Sequence, residues 1–323
     1  MNAIWVTDLH INDYKAFGQH RNRLEDCLKV IDDCYNLAVK KKAKVILMSG
    51  DMFDTTKYLY TTVLTATIER LDSWIAQYPD IKWLAITGNH DFATKNLPHS
   101  PAISSLTHLA IAFPKNFIVI DNEGMTLPGR CRVQGIPNYE YKEHYQAALE
   151  QATQHVETSA GFTNILMIHQ KPSGMHNKHC KIDTDVSDPL YDAFDIVLCG
   201  DIHERQIITP KFILGGNPLH RDLNDEGKEK GIWSLDLTNP VDTLKFHSRK
   251  GRYPEFIRSA SNKPDGDNFV IVEPKKTTKE VKGVAAMEQF ASSLPHADLL
   301  TNFWKEQSGT DKALLQTGLS FIK

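Results

Sequence analysis

Residues 45–54 read VILMSGDMFD, an apolar run of strand length that ends abruptly in Gly-Asp. Other apolar runs end in polar clusters in the same way. They are Ala3–Thr7 before Asp8 and His10, Trp83–Thr87 before Gly88-Asn89-His90-Asp91, Ile165–His169, and Ile196–Cys199 before Gly200-Asp201-Ile202-His203. Ligands of α/β proteins collect at the carboxyl ends of strands. We therefore expect these polar side chains to converge, with Gly50, Gly88 and Gly200 letting the backbone turn sharply after each strand.

The segments between these runs have the spacing of amphipathic helices. Apolar residues recur every three or four positions at Leu24, Cys27, Leu28, Ile31, Cys34 and Ala38, and again at Leu64, Ile68, Leu71, Ile75 and Tyr78. Alternating strands and helices predict an α/β fold with helices covering the sheet. Short strand-like runs within 206–247 predict a second sheet that completes a sandwich.

Composition is that of an ordinary folded protein. The 323 residues are 41% hydrophobic and 24% charged, which argues against a disordered chain, a collagen-like fibre and a coiled coil. The formal net charge of -3 excludes a global basic field that would recruit nucleic acid. Five cysteines without a Cys-x-x-Cys pair indicate reduced thiols. No apolar run approaches the roughly 18 residues of a membrane span and no secretory signal opens the chain, so we expect no membrane contact and a cytoplasmic location.

The polar clusters predict a metal site. A single Asp-x-His is more often a solvated carboxylate beside a hydrogen-bonded imidazole. Several such clusters at strand ends are harder to attribute to chance, because buried carboxylates and imidazoles are costly unless they are paired or bind a metal.

The set Asp-x-His, Gly-Asp-x-x-Asp, Gly-Asn-His-Asp, His and Gly-Asp-x-His resembles the calcineurin-like metallophosphoesterase superfamily over about residues 1–205. The resemblance implies a β-sandwich flanked by helices, here with a small C-terminal α+β appendage. It also implies two divalent ions, of which Mn²⁺ fits the mixed oxygen and imidazole ligands best and Mg²⁺ is the alternative. The ligands carried over are Asp8, His10, Asp51 and His203 for the first ion, and Asp51, Asn89 and His169 for the second.

One position departs from the superfamily pattern. Its last motif is Gly-His-x-His, and Asp201 stands here where the first histidine would bind the second ion. A carboxylate also binds Mn²⁺ or Mg²⁺, so we expect Asp201 to be a ligand. The alternative is that Asp201 has left the site and the second ion binds weakly.

Two further residues receive catalytic roles from the resemblance. His90 lies over the phosphate in this superfamily, where an imidazolium stabilises charge or protonates the leaving oxygen. Asp54 matches the residue that orients this histidine, and Asp91 is expected to support the site from outside the ligand set.

The surroundings of these motifs distinguish among phosphoesterases. Phosphoprotein phosphatases carry an arginine after the second motif, and Gly50-Asp-Met-Phe-Asp-Thr-Thr56 lacks it. Residues 215–231, GGNPLHRDLNDEGKEKG, look like the SbcD nuclease family, kin to the meiotic recombination 11 nuclease. In that family a Gly-Ser pair precedes an arginine and a Glu-rich stretch ending in Lys-Gly. Asn217 replaces the serine, while Arg221, Glu226, Lys230 and Gly231 keep the register.

This second resemblance implies a Mn²⁺-dependent DNA phosphodiesterase, and the compact length and short tail of the chain suit a bacterial or phage version. Its activities would be 3′ to 5′ exonuclease on duplex ends and endonuclease on hairpins or single strands, in recombination and repair. It implies an SbcC-type coiled-coil ATPase partner and two nuclease subunits per complex. Two alternatives stay open: a small-molecule or cyclic-nucleotide phosphodiesterase, and a catalytically weak DNA-end-binding scaffold.

The remaining predictions concern organisation and contacts. We expect a nuclease domain at 1–252, a reduced capping domain at 253–295 and a partner-binding segment at 296–323. Candidate DNA contacts are Lys245, Arg249, Lys250 and Arg252, although basic residues also protect an exposed edge strand. Candidate partner contacts are Leu300, Phe303 and Trp304, although packing within their own domain explains them equally well.

Overall fold

The computed structural model describes residues 1–14, 23–54, 58–92, 104–158, 161–172, 185–259 and 268–272. Residues 1–272 belong to one compact unit. Its strands are β1 (Asn2–Val6), β2 (Val45–Ser49), β3 (Lys82–Ile86), β4 (Phe117–Val119), β5 (Gly124–Leu127), β6 (Cys131–Ile136), β7 (Thr163–His169), β8 (Ile196–Gly200), β9 (Gln206–Thr209), β10 (Phe212–Leu214), β11 (Gly231–Asp236), β12 (Lys245–Ser248), β13 (Phe256–Ser259) and β14 (Phe269–Val272). Its α-helices are α1 (Leu24–Lys41), α2 (Thr61–Gln77), α3 (Leu106–Ala112), α4 (Lys142–Gln154) and α5 (Pro240–Thr243).

Two six-stranded mixed sheets form the centre of this unit. The first has the order β12-β11-β1-β2-β3-β4 and the second has the order β5-β6-β7-β8-β10-β9. In the first sheet β1 to β4 run parallel, and β11 pairs antiparallel with β1. In the second sheet β6, β7, β8 and β10 run parallel. A separate parallel pair joins β13 to β14.

Alternate residues of each central strand enter different cores, which explains why these strands are apolar throughout. Between the sheets, Trp5 and Leu47 of the first pack with Met167 and Leu198 of the second. The outer face of the first sheet packs against α1 and α2. The outer face of the second sheet packs against α4. The predicted helix-flanked sandwich is confirmed.

The second half of the chain is distributed differently from the prediction. We expected the short strands within 206–247 to build the second sheet together. Only β9 and β10 join that sheet, whereas β11 and β12 extend the first. The reason is that β11 pairs along the free edge of β1, with Trp233 opposite Trp5.

The expected boundary at residue 252 stays a prediction. Tyr253 packs into the core beneath α1, and its hydroxyl donates to Asp33 at 2.5 Å. Of the expected capping domain, only residues 253–259 and 268–272 are described, and the segment 296–323 with Leu300, Phe303 and Trp304 lies outside the described residues. Within the described ranges, no helix is both long and apolar enough to cross a bilayer. Cys27, Cys34, Cys131 and Cys199 are buried free thiols, as expected.

Candidate metal centre

The predicted ligands meet where the carboxyl ends of strands from both sheets approach each other. The first sheet supplies Asp8 and His10 after β1, Asp51 after β2, and Asn89 and His90 after β3. The second sheet supplies His169 at the end of β7, and Asp201 and His203 after β8. The Ser49 hydroxyl connects the two edges, because it donates to the Leu198 carbonyl oxygen at 3.2 Å.

The backbone at the ligand positions is conformationally unusual. The φ angles of four of these residues lie in the left-handed region that residues other than glycine rarely adopt. They are 54° for Asp8, 46° for His10, 55° for Asp51 and 81° for Asp201. The loops after β1 and β2 hold each other there. The Asp8 N–H donates to the Gly50 carbonyl oxygen and the His10 N–H to that of Asp51, both at 3.0 Å. Such geometry concentrates at functional sites.

The glycines before the ligands act by two different means. Gly50 has a φ of 90° and turns the chain, as expected. Gly88 and Gly200 have no positive φ, so a left-handed backbone is not what requires a glycine at these two positions. A Cβ on Gly88 would overlap the Asp51 carboxylate, and one on Gly200 would overlap the Ser49 carbonyl oxygen. These two glycines allow close approach of neighbouring loops.

The first set of donors surrounds His10. Its Nε2 lies 3.1 Å from His203 Nε2, 3.5 Å from Asp51 Oδ2 and 3.8 Å from Asp8 Oδ1. Burial lowers the pKa of His10 to about 4, and burial together with His10 and Arg221 lowers that of His203 to about 2. Both imidazoles are therefore neutral at pH 7, which is the form that binds metals.

The second set of donors surrounds His169 Nε2. This atom lies 2.9 Å from Asn89 Oδ1, 3.3 Å from Asp51 Oδ2 and 3.8 Å from Asp201 Oδ1. Burial opposes a charge on His169, but Asp51 and Asp8 raise its pKa well above the ordinary value. A ring nitrogen facing three oxygen acceptors is a position that favours a proton or a divalent cation.

The carboxylates complete a donor set that fits hard divalent ions. Burial raises the pKa of Asp8 to about 7, whereas His169 and His10 outweigh burial at Asp51 and lower its pKa well below the ordinary value. The ligand atoms of Asp8, Asp51 and His169 all lie within 4.8 Å of one another. Asp51 thus belongs to both sets, as expected of a bridging ligand. Oxygen and imidazole donors without a thiolate match Mn²⁺ or Mg²⁺.

His90 and Asp54 lie together beside the first donor set. The His90 ring meets the His10 ring edge-on, with 4.8 Å between centroids. His90 Nδ1 lies 3.4 Å from Asp54 Oδ1, and His10 Nδ1 lies 3.0 Å from the same oxygen. Burial opposes ionisation of Asp54, but His10 lowers its pKa. The His90 side chain is 30% exposed, so it faces the open side of the site.

Asp91 supports the loops that carry the ligands. Its two carboxylate oxygens accept from the backbone N–H groups of Met52, Phe53 and Gly88 at 3.0–3.3 Å. One buried side chain therefore joins the loop after β2 to the loop after β3. The sequence predicted a supporting role for Asp91 without indicating which groups it contacts.

The 215–231 segment reaches the site, which the sequence did not predict. Arg221 Nη1 lies 3.0 Å from His10 Nε2 and 3.2 Å from His203 Nε2. The buried Lys230 ammonium donates to the His203 carbonyl oxygen at 2.9 Å and also to Asn217 Oδ1. Asn217, which replaces the family's serine, therefore supplies an acceptor for Lys230. The spacing of Arg221 and Lys230, which matches the SbcD-like motif, was the only sequence feature that pointed to this contact.

The predicted DNA contacts are divided in their surroundings. Lys245 on β12 and Lys250 are exposed. Arg249 and Arg252 instead contact Asp33 of α1, at 3.1 and 2.7 Å. DNA contact by these four residues stays a prediction.

Comparison with known proteins identifies the family to which this chain belongs. The model of the family described as calcineurin-like phosphoesterase matches residues 1–205, which contain all the predicted ligands. The chain belongs to this family. As a calcineurin-like phosphoesterase it is a metal-dependent hydrolase of phosphoesters, of a family that uses two divalent metal ions.

Several solved structures resemble this calcineurin-like phosphoesterase at low identity and with TM-scores below 0.5. TT1561 of Thermus thermophilus is 12% identical, and the alignment covers 76% of this chain and 98% of that protein, with a TM-score of 0.44. A dimetal phosphatase from Danio rerio is 10% identical, and the alignment covers 72% of this chain and 91% of that protein, with a TM-score of 0.43. A putative 5′-nucleotidase from Staphylococcus aureus is 14% identical, and the alignment covers 77% of this chain and 53% of that protein, with a TM-score of 0.35. No match was found among curated proteins. These likenesses say nothing about the substrate of this chain.

Proposed function

We propose that this calcineurin-like phosphoesterase is an SbcD-type nuclease that hydrolyses DNA phosphodiesters with Mn²⁺. The observation that carries the proposal is the position of the 215–231 segment. This segment has the SbcD-like motif, and its Arg221 and Lys230 contact the histidines of the first donor set. A motif built into the site bears on the chemistry there, whereas the same residues on a remote surface would not.

We assign the ligands to the two ions as the family resemblance implies. Asp8, His10, Asp51 and His203 would hold the first ion, and Asp51, Asn89, His169 and Asp201 the second. Two bound divalent ions supply a water of lowered pKa and neutralise charge on the attacked phosphate.

His90 provides proton transfer in this proposal. Its Nδ1 faces Asp54, which leaves Nε2 for the substrate. When the bond between phosphorus and the leaving oxygen breaks, His90 Nε2 donates a proton to that oxygen. Asp54 stabilises the imidazolium before the transfer and fixes the ring orientation.

Exposed aromatic side chains support a nucleic-acid substrate over a small ester. Tyr14, Tyr58 and Tyr60 are 51%, 77% and 57% exposed. They belong to the loops that follow the first two ligand clusters, and Thr62 Oγ1 donates to Asp13 Oδ2 at 3.3 Å to hold these loops together. Nucleobases stack on such rings, contributing about 1–3 kcal/mol per base. A single strand entering the site would meet these tyrosines.

A Mn²⁺ assay on linear duplex, hairpin and single-stranded DNA tests the proposal, with the small diester bis(p-nitrophenyl) phosphate alongside. We expect hydrolysis of DNA, a loss of about 100-fold or more in His90→Ala, and normal activity in His108→Ala, whose histidine is exposed on α3. Tyr58→Ala/Tyr60→Ala should weaken hydrolysis of single strands and spare the small diester, whereas Tyr141→Ala at the start of α4 should affect neither. Hydrolysis of the small diester or of cyclic nucleotides with no cleavage of any DNA would overturn the nuclease proposal.

We further propose that the chain assembles as two nuclease subunits with an SbcC-type ATPase, through residues 296–323. The apolar groups that include Leu300, Phe303 and Trp304 support this proposal. Deleting 296–323 should abolish co-purification with the ATPase and leave hydrolysis of the small diester intact. Loss of both would identify these residues as core packing.

A further inference from the structure

The guanidinium of Arg221 contacts a carboxylate that faces two histidines of the site. Arg221 Nη2 lies 2.5 Å from Asp54 Oδ1. The same oxygen lies 3.0 Å from His10 Nδ1 and 3.4 Å from His90 Nδ1. One carboxylate oxygen thus serves the ligand histidine, the proton-donating histidine and the arginine.

Asp54 needs a cation in this environment. Its side chain is only 5% exposed, and a buried carboxylate without a charged partner is strongly destabilised. A guanidinium donates to a carboxylate through a planar, positively charged group, and Arg221 places one against Asp54 Oδ1.

We propose that Arg221 is a positioning residue, which holds the Asp54 carboxylate in the orientation that faces the rings of His10 and His90. The effect of Arg221 on phosphoester hydrolysis passes through Asp54 and through its contacts with His10 and His203, without contact between Arg221 and the substrate. This inference rests on the proposed function for its kinetic consequences, while its structural content concerns the side chains of this chain alone.

The backbone of Arg221 is anchored well enough to support this role. Its N–H donates to Asp225 Oδ2 at 2.7 Å, at the start of the 3₁₀-helix Leu223–Asp225. Asp225 Oδ1 in turn lies 2.5 Å from the buried Lys230 ammonium, which also donates to the His203 carbonyl oxygen. The arginine therefore extends from a turn that is tied to the same loop as the ligand His203.

The test compares Arg221→Gln, Arg221→Lys and Arg221→Ala with the control Arg205→Gln. Arg205 is a more exposed arginine that pairs with Glu229 at 2.8 Å. With Mn²⁺ and the small diester, Arg221→Gln should lower kcat by about 10- to 100-fold, as loss of groups behind metal ligands does, and leave KM nearly unchanged. Arg221→Lys should recover part of kcat, and added guanidinium should rescue Arg221→Ala. The control should match the wild type.

A second readout does not depend on activity. In metal-free protein, ¹⁵N-labelled imidazole resonances of His10 and His90 should shift in Arg221→Gln and stay in place in Arg205→Gln. A rise in KM at constant kcat would overturn the positioning role and would indicate that Arg221 contacts the phosphate directly. Unshifted imidazole resonances in a folded Arg221→Gln would overturn the inference. If the wild type hydrolyses no phosphoester, the proposed function fails, and the resonances still decide the role of Arg221.

Discussion

The Nδ1 atom of His169 lies 2.7 Å from the backbone oxygen of Ser49, so the end of β7 in the second sheet is fixed to the end of β2 in the first. Because a carbonyl oxygen only accepts, Nδ1 carries the proton and donates it. The other ring nitrogen, Nε2, is thereby directed at Asn89 and Asp51. This arrangement, in which Nδ1 is fixed as a donor and Nε2 points at the other candidate ligands, is characteristic of metal-binding histidines.

Replacing His169 should remove the second ion and spare the first, because the first donor set is centred on His10. We expect His169→Ala to lower the bound Mn²⁺ from two ions per chain to one. Metal content after equilibrium dialysis measures this. The control is His155→Ala, whose histidine is exposed after α4. Retention of both ions by His169→Ala would remove His169 from the ligand set.

Asp201 should contribute to the same ion. Its Oδ1 lies 3.8 Å from His169 Nε2. Asp201 occupies the sequence position at which the superfamily has a histidine. We expect Asp201→Ala to weaken the second Mn²⁺ by about tenfold or more, which corresponds to about 1.4 kcal/mol, and Asp201→His to bind it at least as tightly as the wild type. Calorimetric titration separates the two ions. Equal affinities in all three proteins would show that Asp201 lies outside the ligand set.

Metal binding at pH 7 should release protons. The pKa of His169 is raised well above its ordinary value and that of Asp8 is raised to about 7, so before an ion binds at pH 7 His169 is protonated and Asp8 is about half protonated. A divalent ion displaces them, which amounts to about one proton or more per chain. Calorimetry in buffers of different ionisation enthalpy measures the number. It should fall in Asp8→Asn, and a binding enthalpy that is the same in every buffer would contradict the assignment.

The parts of the fold that could be predicted from the sequence are those with strong local patterns. The apolar runs of β1, β2 and β3, and the spacing of α1 and α2, made these elements evident. Short strands such as β5, with the sequence GMTL, have no such pattern, and neither β4 to β6 nor α3 and α4 were predicted. The pairing of β11 with β1 joins residues more than 220 positions apart, and edge pairing of this kind leaves no local signal.

The assignment of ligands to two ions came from the family resemblance. The convergence of the candidate ligands was predictable for a different reason. Each lies directly after a recognisable strand, so its place at the sheet edge follows from the strand. Arg221 has no such strand before it, and its contact with Asp54 spans 167 positions. Long side chains that reach a site from irregular segments are determined by tertiary packing, which local patterns do not encode.

Replacing the Asp91 carboxyl group by an amide should destabilise the fold. Its carboxylate accepts from three backbone N–H groups, and the amide of Asp91→Asn would place a donor against at least one of them. A buried donor left without an acceptor costs about 1–3 kcal/mol. We expect urea unfolding to show this loss in Asp91→Asn, with no comparable loss in Asp72→Asn on the exposed face of α2. An unchanged midpoint for Asp91→Asn would contradict the role assigned to this carboxylate.

Asp121 should make the stability of the protein depend on pH between about 4 and 6. Its carboxylate accepts from the Thr87 N–H at 2.8 Å and from the Thr87 hydroxyl at 2.5 Å, yet burial raises its pKa from 3.8 to about 6. The folded state therefore binds this proton more tightly than the unfolded state does. The contribution of Asp121 to the free energy of unfolding is largest below pH 4 and declines as pH rises to 6.

Asp121→Asn removes the titrating group and should flatten this dependence. Relative to the wild type, the variant should gain stability as pH rises from 4 to 6, by up to about 3 kcal/mol for a shift of about two pKa units. Urea unfolding at pH 4, 5, 6 and 7 measures the difference, and Asp72→Asn is again the control because its carboxylate is exposed. A constant difference between Asp121→Asn and the wild type across this range would mean that the Asp121 carboxylate titrates alike in the folded and unfolded states, because only a difference in proton binding makes stability vary with pH.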